Sequence, residues 1–224
     1  MSFTGVIGGA GNRILTGLVH LLAITRIHPN VFTCVGLFIN GAAAWLFAQG
    51  EFAKAGIVVL LGAVFDLVDG PVARHSNKVT RFGGFLDSVI DRYSDLILLM
   101  GMLVWYARID RFSYIVLTAA AMTGSVLISY ARARSENEIP KCKVGFLERP
   151  ERIVLIIIGA LSDHMAAVLW VIAVLANWTV IQRILYTWTE TTRIDAEQPA
   201  AEAVPVEASD KKSSGKLQQT YRSV

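Results

Sequence analysis

The sequence predicts an all-α integral membrane protein: a bundle of six transmembrane helices preceded by an amphipathic juxtamembrane helix. Three observations lead there. The 224 residues are 54% hydrophobic and only 17% charged, with a mean hydropathy of +0.49, where a soluble domain carries about a quarter charged residues. The apolar residues gather in runs close to the length that crosses a bilayer, parted by short polar turns. Basic residues crowd alternate ends of those runs, the bias that orients a multi-span chain. The formal charge of +3 is too small to point to nucleic acid. No P-loop, zinc-ligand spacing or nucleophile–His–acid arrangement is present.

In chain order, residues 12–26 place Ile14, Leu15, Leu18, Leu21 and Leu22 mostly on one side, between Arg13 and Arg26. The stretch is too short to span. It reads as an amphipathic helix lying on the membrane, or as a connecting helix packed on the bundle. His28-Pro29-Asn30 then breaks the chain. The first span is expected over about 31–48, the second over 53–74, the third over 84–106 and the fourth over 112–131. In the fourth, Ala119, Ala120, Ala121, Gly124, Ser125 and Ser129 suit close helix packing. The sixth span covers about 165–189. Residues 1–190 thus form one membrane domain, and 195–224, rich in Ala, Glu, Pro, Ser and Lys, are expected to be a disordered cytoplasmic tail. Cys34 and Cys142 are expected to be unpaired.

The fifth segment is irregular. Its uncharged run, Ile153–Leu161, amounts to roughly 14 Å of helix, against the roughly twenty residues a span needs. Either the segment does not span, or its helix starts earlier and carries Glu148, Arg149, Glu151 and Arg152 to membrane depth. The second option requires a polar cavity. Lys54, Arg108 and Arg111 are the only basic residues at the sparse ends of the spans, so the rich side, with both termini, is assigned to the cytoplasm of a cell membrane.

The stretch 66–91, DLVDGPVARHSNKVTRFGGFLDSVID, holds Asp66 and Asp69, then Asp87 and Asp91, with apolar sequence on both sides. Spacings of three and four put each pair on one helical face. If the two helices meet as a hairpin across His75–Arg81, all four carboxylates converge. Carboxylates in an apolar helix persist where a cavity, a metal or a partner charge receives them. A cluster of this kind calls for a hard divalent cation, and Mg²⁺ also leaves positions for phosphate and water.

DxxDGxxAR, eight residues, then GxxxDxxxD resembles the signature of the CDP-alcohol phosphotransferase family, with Asp66, Asp69, Gly70, Ala73, Arg74, Gly83, Asp87 and Asp91 filling the motif. The resemblance covers about residues 28–190. It implies a six-helix homodimeric membrane enzyme that moves a phosphatidyl group from CDP-diacylglycerol to an alcohol and releases CMP. It further implies Mg²⁺ or Mn²⁺, two per subunit, on Asp66, Asp69, Asp87 and Asp91, with Asp91 as general base. Asp69, Gly70, Ala73 and Arg74 would bind the CDP-lipid. SYARARSE at 129–136 and VGFLERPER at 144–152 are similar to segments of bacterial phosphatidylinositol-phosphate synthases. That likeness implies Arg132, Arg152 and Arg183 as ligands of a phosphorylated polyol acceptor, an inositol phosphate. Arg132 stands where that group commonly has lysine, and Asn137–Lys141 replaces a Gly-rich stretch, so glycerol 3-phosphate is the alternative acceptor. An ion or proton transporter is the more distant alternative.

Overall fold

The computed structural model describes residues 29–75, 80–142 and 144–197, with all side chains in these ranges except those of 29, 30, 32 and 67–75. The expected juxtamembrane helix at 12–26, the turn residues 76–79 and the tail beyond 197 lie outside the described residues.

Every regular element is helical among the described residues. Helix α1 (Pro29–Ala48) starts at the proline expected to break the chain, whose fixed φ suits a first helical position. It is followed by α2 (Phe52–His75), α3 (Arg81–Arg108), α4 (Phe112–Ser135), α5 (Arg149–Leu161) and α6 (Met165–Glu197). Thr80 caps α3 by accepting the Gly83 N–H at 2.9 Å, satisfying a donor the helix start leaves free. At the other end of α3, Arg108 donates to the Ala48 carbonyl at 2.9 Å and to Gln49 Oε1 at 3.1 Å, tying the α1–α2 turn to the α3–α4 turn. Cys34 and Cys142 are both free.

Helix α6 runs on to Glu197, into the stretch expected to be disordered from 195. Arg193 pairs with Glu190 at 2.9 Å and with Glu197 at 3.7 Å. Such pairs three and four residues apart lend a helix end local support after its apolar run is over.

The main packing of both motif helices is with α1, which lies against α2 and α3; α3 also packs on α4, α4 on α6, and α5 on α2 and α6. Small residues permit these approaches. A side chain at Gly101 of α3 would stand 2.2 Å from the Ala44 carbonyl oxygen of α1. Gly124 of α4 faces Ala176 and Asn177 of α6, where a Cβ would meet Ala176 at 2.8 Å. The small residues of the fourth span thus do mark a close helix crossing.

Polarity is arranged inside out. Phe38, Phe112 and Trp188 are 78%, 73% and 68% exposed, whereas Asn40, Thr118, Ser125, Arg152 and Arg183 are buried. Two helices, α4 and α6, are long and apolar enough to cross a membrane by length and composition. The apolar part of α1, Thr33–Ala48, is shorter, and α5 has only 13 residues. Helices α2 and α3 carry the motif's charges.

Candidate active site

The guanidinium of Arg149, the first residue of α5, joins the acids of the two motif helices. Its Nη2 lies 2.7 Å from Asp66 Oδ2 on α2, and its Nη1 lies 2.9 Å from Asp91 Oδ1 on α3. Its Nε is 3.5 Å from Asp95 Oδ1, one further turn along α3. Asp66 and Asp91 therefore do converge, but around an arginine of a third helix. Asp87 sits partly buried one turn before Asp91. Asp69, Gly70, Ala73 and Arg74 lie on α2, and their side chains are outside those described. Gly36 of α1 backs the group: a Cβ there would stand 2.8 Å from Asp66 Oδ1, so its missing side chain leaves room for the carboxylate.

The donor chemistry fits a divalent cation. Asp66 and Asp91 bring hard carboxylate oxygens from separate helices, the ligand type Mg²⁺ and Mn²⁺ take, and here the Arg149 guanidinium lies between them. Among the described residues no three acidic side chains are grouped closely enough to hold a metal ion by themselves. The set expected to do so includes Asp69.

A cavity of about 150 Å³ opens beside these acids. Arg132 of α4, Arg152 of α5 and Arg183 of α6 all line it, together with Asp91, Asp95, Glu148 and Arg149. The three arginines singled out from sequence thus share one chamber. Arg183 is 1% exposed and donates to the carbonyls of Ile128 at 2.6 Å and Val144 at 3.0 Å. Gly145, with φ of +121°, lets the preceding loop lie against Arg183, for a Cβ would meet Thr179 Cγ2 at 2.6 Å. Glu148 bridges two of the arginines, with Oε1 at 3.2 Å from both Arg132 Nη1 and Arg183 Nη2. Arg152, 3% exposed, pairs with Asp95. Removing one partner of such a buried pair costs about 3–5 kcal/mol.

These contacts show where the charges of the fifth segment go. Its helix begins at Arg149, and a polar cavity receives Arg149 and Arg152. Their anions are Asp66, Asp91 and Asp95, however, and not the neighbouring glutamates. Glu151 is exposed, because it falls about 100° away from Arg152 around the helix. Two residues were missed by sequence reasoning. The sequence carries Arg149 toward membrane depth but gives it no place in the site. Asp95 continues the Asp87, Asp91 spacing by one more turn inside an apolar helix, and that spacing was the available signal.

Residues 26–189 match the family described as CDP-alcohol phosphatidyltransferase. The chain belongs to that family. As a CDP-alcohol phosphatidyltransferase it is an integral membrane enzyme, which accounts for the apolar exterior. It is similar to the archaetidylinositol phosphate synthase of Methanothermobacter thermautotrophicus, 35% identical over 162 residues that cover 70% of this chain and 80% of that one. It also resembles crystal structures of Mycobacterium tuberculosis phosphatidylinositol phosphate synthase. The one with CDP-DAG bound superposes with a TM-score of 0.73 at 33% identity, covering 79% of this chain and 94% of that one. The complex with manganese and citrate gives 0.72 at 32%, covering 78% and 89%.

Proposed function

We infer that this phosphatidyltransferase uses CDP-diacylglycerol as donor and an inositol phosphate as acceptor. The observation that carries the acceptor phosphate is the charge of the cavity: five arginines line it against three carboxylates. A doubly charged phosphomonoester balances that excess, and a free alcohol does not. The Arg132–Glu148 pair is about half exposed, and pairs of that kind contribute at most about 1 kcal/mol. Glu148 is itself about half exposed, and a doubly charged phosphate can take its place between Arg132 and Arg183 while leaving the buried Arg183 paired. The similarity to inositol-phosphate lipid synthases favours inositol phosphate over glycerol 3-phosphate.

In the reaction the acceptor hydroxyl oxygen forms a bond to the phosphatidyl phosphorus as the bond from that phosphorus to CMP breaks. Asp91 takes the hydroxyl proton. It suits that role because it lines the cavity and also belongs to the acidic motif. Asp66, Asp69 and Asp87, with Asp91 shared, would hold two Mg²⁺ or Mn²⁺ ions, which when bound neutralise the diphosphate and stabilise charge on the attacking and leaving oxygens. Gly70 and Ala73 lack bulk and admit the cytidine to the helix backbone, while Arg74 offers planar donors to phosphate oxygens.

The test is a panel of acceptors offered to the purified full chain with labelled CDP-diacylglycerol. Inositol phosphate should yield phosphatidylinositol phosphate and CMP, while free inositol, serine and choline yield nothing. Arg152→Gln should raise the acceptor KM at least about tenfold, the worth of a charge-assisted hydrogen bond, with little change in the KM for CDP-diacylglycerol. Efficient use of a free alcohol would overturn the assignment, and preference for glycerol 3-phosphate would favour the second acceptor.

The same reading carries six spans, a homodimer and cytoplasmic termini. In sealed right-side-out vesicles, an impermeant thiol reagent should label Asp110→Cys and leave Glu138→Cys untouched; the reverse pattern would invert the topology. The particle mass in detergent should correspond to two chains, and a single-chain mass would remove the dimer.

A further inference from the structure

Asp95 fills no position of the acidic motif, yet it is the only acid buried among the described residues, at 6% exposure. Its Oδ2 accepts from Arg152 Nη2, and its Oδ1 lies 3.5 Å from Arg149 Nε. Arg152 has one other hydrogen bond, a long one of 3.5 Å from Nη1 to the Leu147 carbonyl. The direction of the Arg152 guanidinium in the cavity therefore rests on Asp95. Asp95 also stands between two arginines one turn apart on α5, and these serve different ends. Arg149 reaches back to Asp66 and Asp91, while Arg152 borders the chamber shared with Arg132 and Arg183.

We propose that Asp95 is a positioning residue for the acceptor phosphate: it fixes Arg152 so that the rest of its guanidinium fork is presented to the cavity. This rests on the reading of that cavity as the acceptor-phosphate site. One N–H of the fork spent on Asp95 leaves others for phosphate oxygens. Without Asp95 the freed guanidinium would turn to the nearest anions, Glu148 or Asp91, both of which line the same space. A ligand held by a buried partner is aligned before the substrate arrives, and misaligning it forfeits a charge-assisted hydrogen bond to the phosphate, worth about 10–100-fold in affinity. Arg149, the other arginine beside Asp95, is held more closely by Asp66 and Asp91, so the loss of Asp95 falls on Arg152 and the acceptor.

The experiment measures steady-state kinetics of the full chain with inositol phosphate and CDP-diacylglycerol varied separately. Asp95→Asn should raise the acceptor KM about 10–100-fold, with kcat and the CDP-diacylglycerol KM within about twofold of the starting protein. Asp95→Glu should recover part of the loss. In the Asp95→Asn/Arg152→Gln double variant the acceptor KM should equal that of Arg152→Gln alone, because a residue acting through Arg152 has nothing left to act on. That double variant removes both buried charges together, and it provides the comparison if Asp95→Asn alone fails to fold. A merely structural Asp95 would lower the melting temperature and kcat while leaving the acceptor KM unchanged, and that result overturns the proposal. So does a further rise in acceptor KM when Asp95→Asn is added to Arg152→Gln. If Arg152→Gln itself leaves the acceptor KM unchanged, the acceptor-site reading fails as well; if it raises that KM and Asp95→Asn does not, only the positioning role fails.

Discussion

Phosphatidyl transfer will stop when divalent cations are removed with EDTA and return on addition of Mg²⁺ or Mn²⁺. Asp66→Ala, Asp69→Ala and Asp87→Ala should each lower CMP release by more than about 100-fold, since loss of a ligand exceeds the 10–100-fold cost of losing an outer partner. The reason is local. Asp66 and Asp91 present hard oxygens to one point between α2, α3 and α5, a point that Arg149 reaches at 2.7 and 2.9 Å. A cation there needs both helices. Asp66→Ala leaves Arg149 paired with Asp91 and near Asp95, so the variant should fold and bind less Mn²⁺, measured directly by titration of the purified protein. Full activity in EDTA, or undiminished Mn²⁺ binding by Asp66→Ala, would remove the metal from these acids.

The second large effect is expected at Asp91. Asp91→Asn should reduce turnover by about 10²–10⁴-fold, the range of a general base, while CDP-diacylglycerol still binds. Among the motif acids with described side chains, Asp91 is the one that faces the arginine-lined cavity, where the acceptor hydroxyl must arrive to be deprotonated. The amide keeps the shape of the side chain but cannot take the proton. Binding of CDP-diacylglycerol, followed with a labelled lipid, separates the two roles open to this residue. A loss of binding equal to the loss of turnover would make Asp91 mainly a metal ligand, and wild-type turnover would end its role as base.

Much of the fold was legible in the residues. The start of α1 at Pro29, the α1–α2 break at Gln49-Gly50-Glu51 and the α3–α4 turn at 109–111 follow from proline and polar residues interrupting apolar runs. The shortness of the apolar run after Arg152 left two readings open, a segment that does not span or a polar chamber that receives its arginines, and the structure places such a chamber beside them. The pairing of the motif helices was less legible. A direct hairpin of α2 and α3 was the simplest way to gather the four aspartates, but α1 packs extensively against both. Gly36, with room for no Cβ beside Asp66, had no local feature to distinguish it from any other glycine in an apolar span.

What the sequence by itself determined about this protein is the chemistry available to it. The spacing of Asp66, Asp69, Asp87 and Asp91 assigned the family, and helical periodicity put each pair on one face. The likeness of residues 129–136 and 144–152 to segments of phosphatidylinositol-phosphate synthases implied an anionic acceptor. Only the tertiary structure decided which charge meets which. Arg149 pairs with Asp66 across 83 residues of chain, and Arg152 with Asp95 across 57, in preference to glutamates one residue away. The physical reason is that periodicity constrains the face a side chain occupies on its own helix. The partner across the interface is chosen by where the helices cross, and those crossings are set by close approaches such as Gly101 on Ala44 and Gly124 on Ala176, which depend on the whole packed bundle.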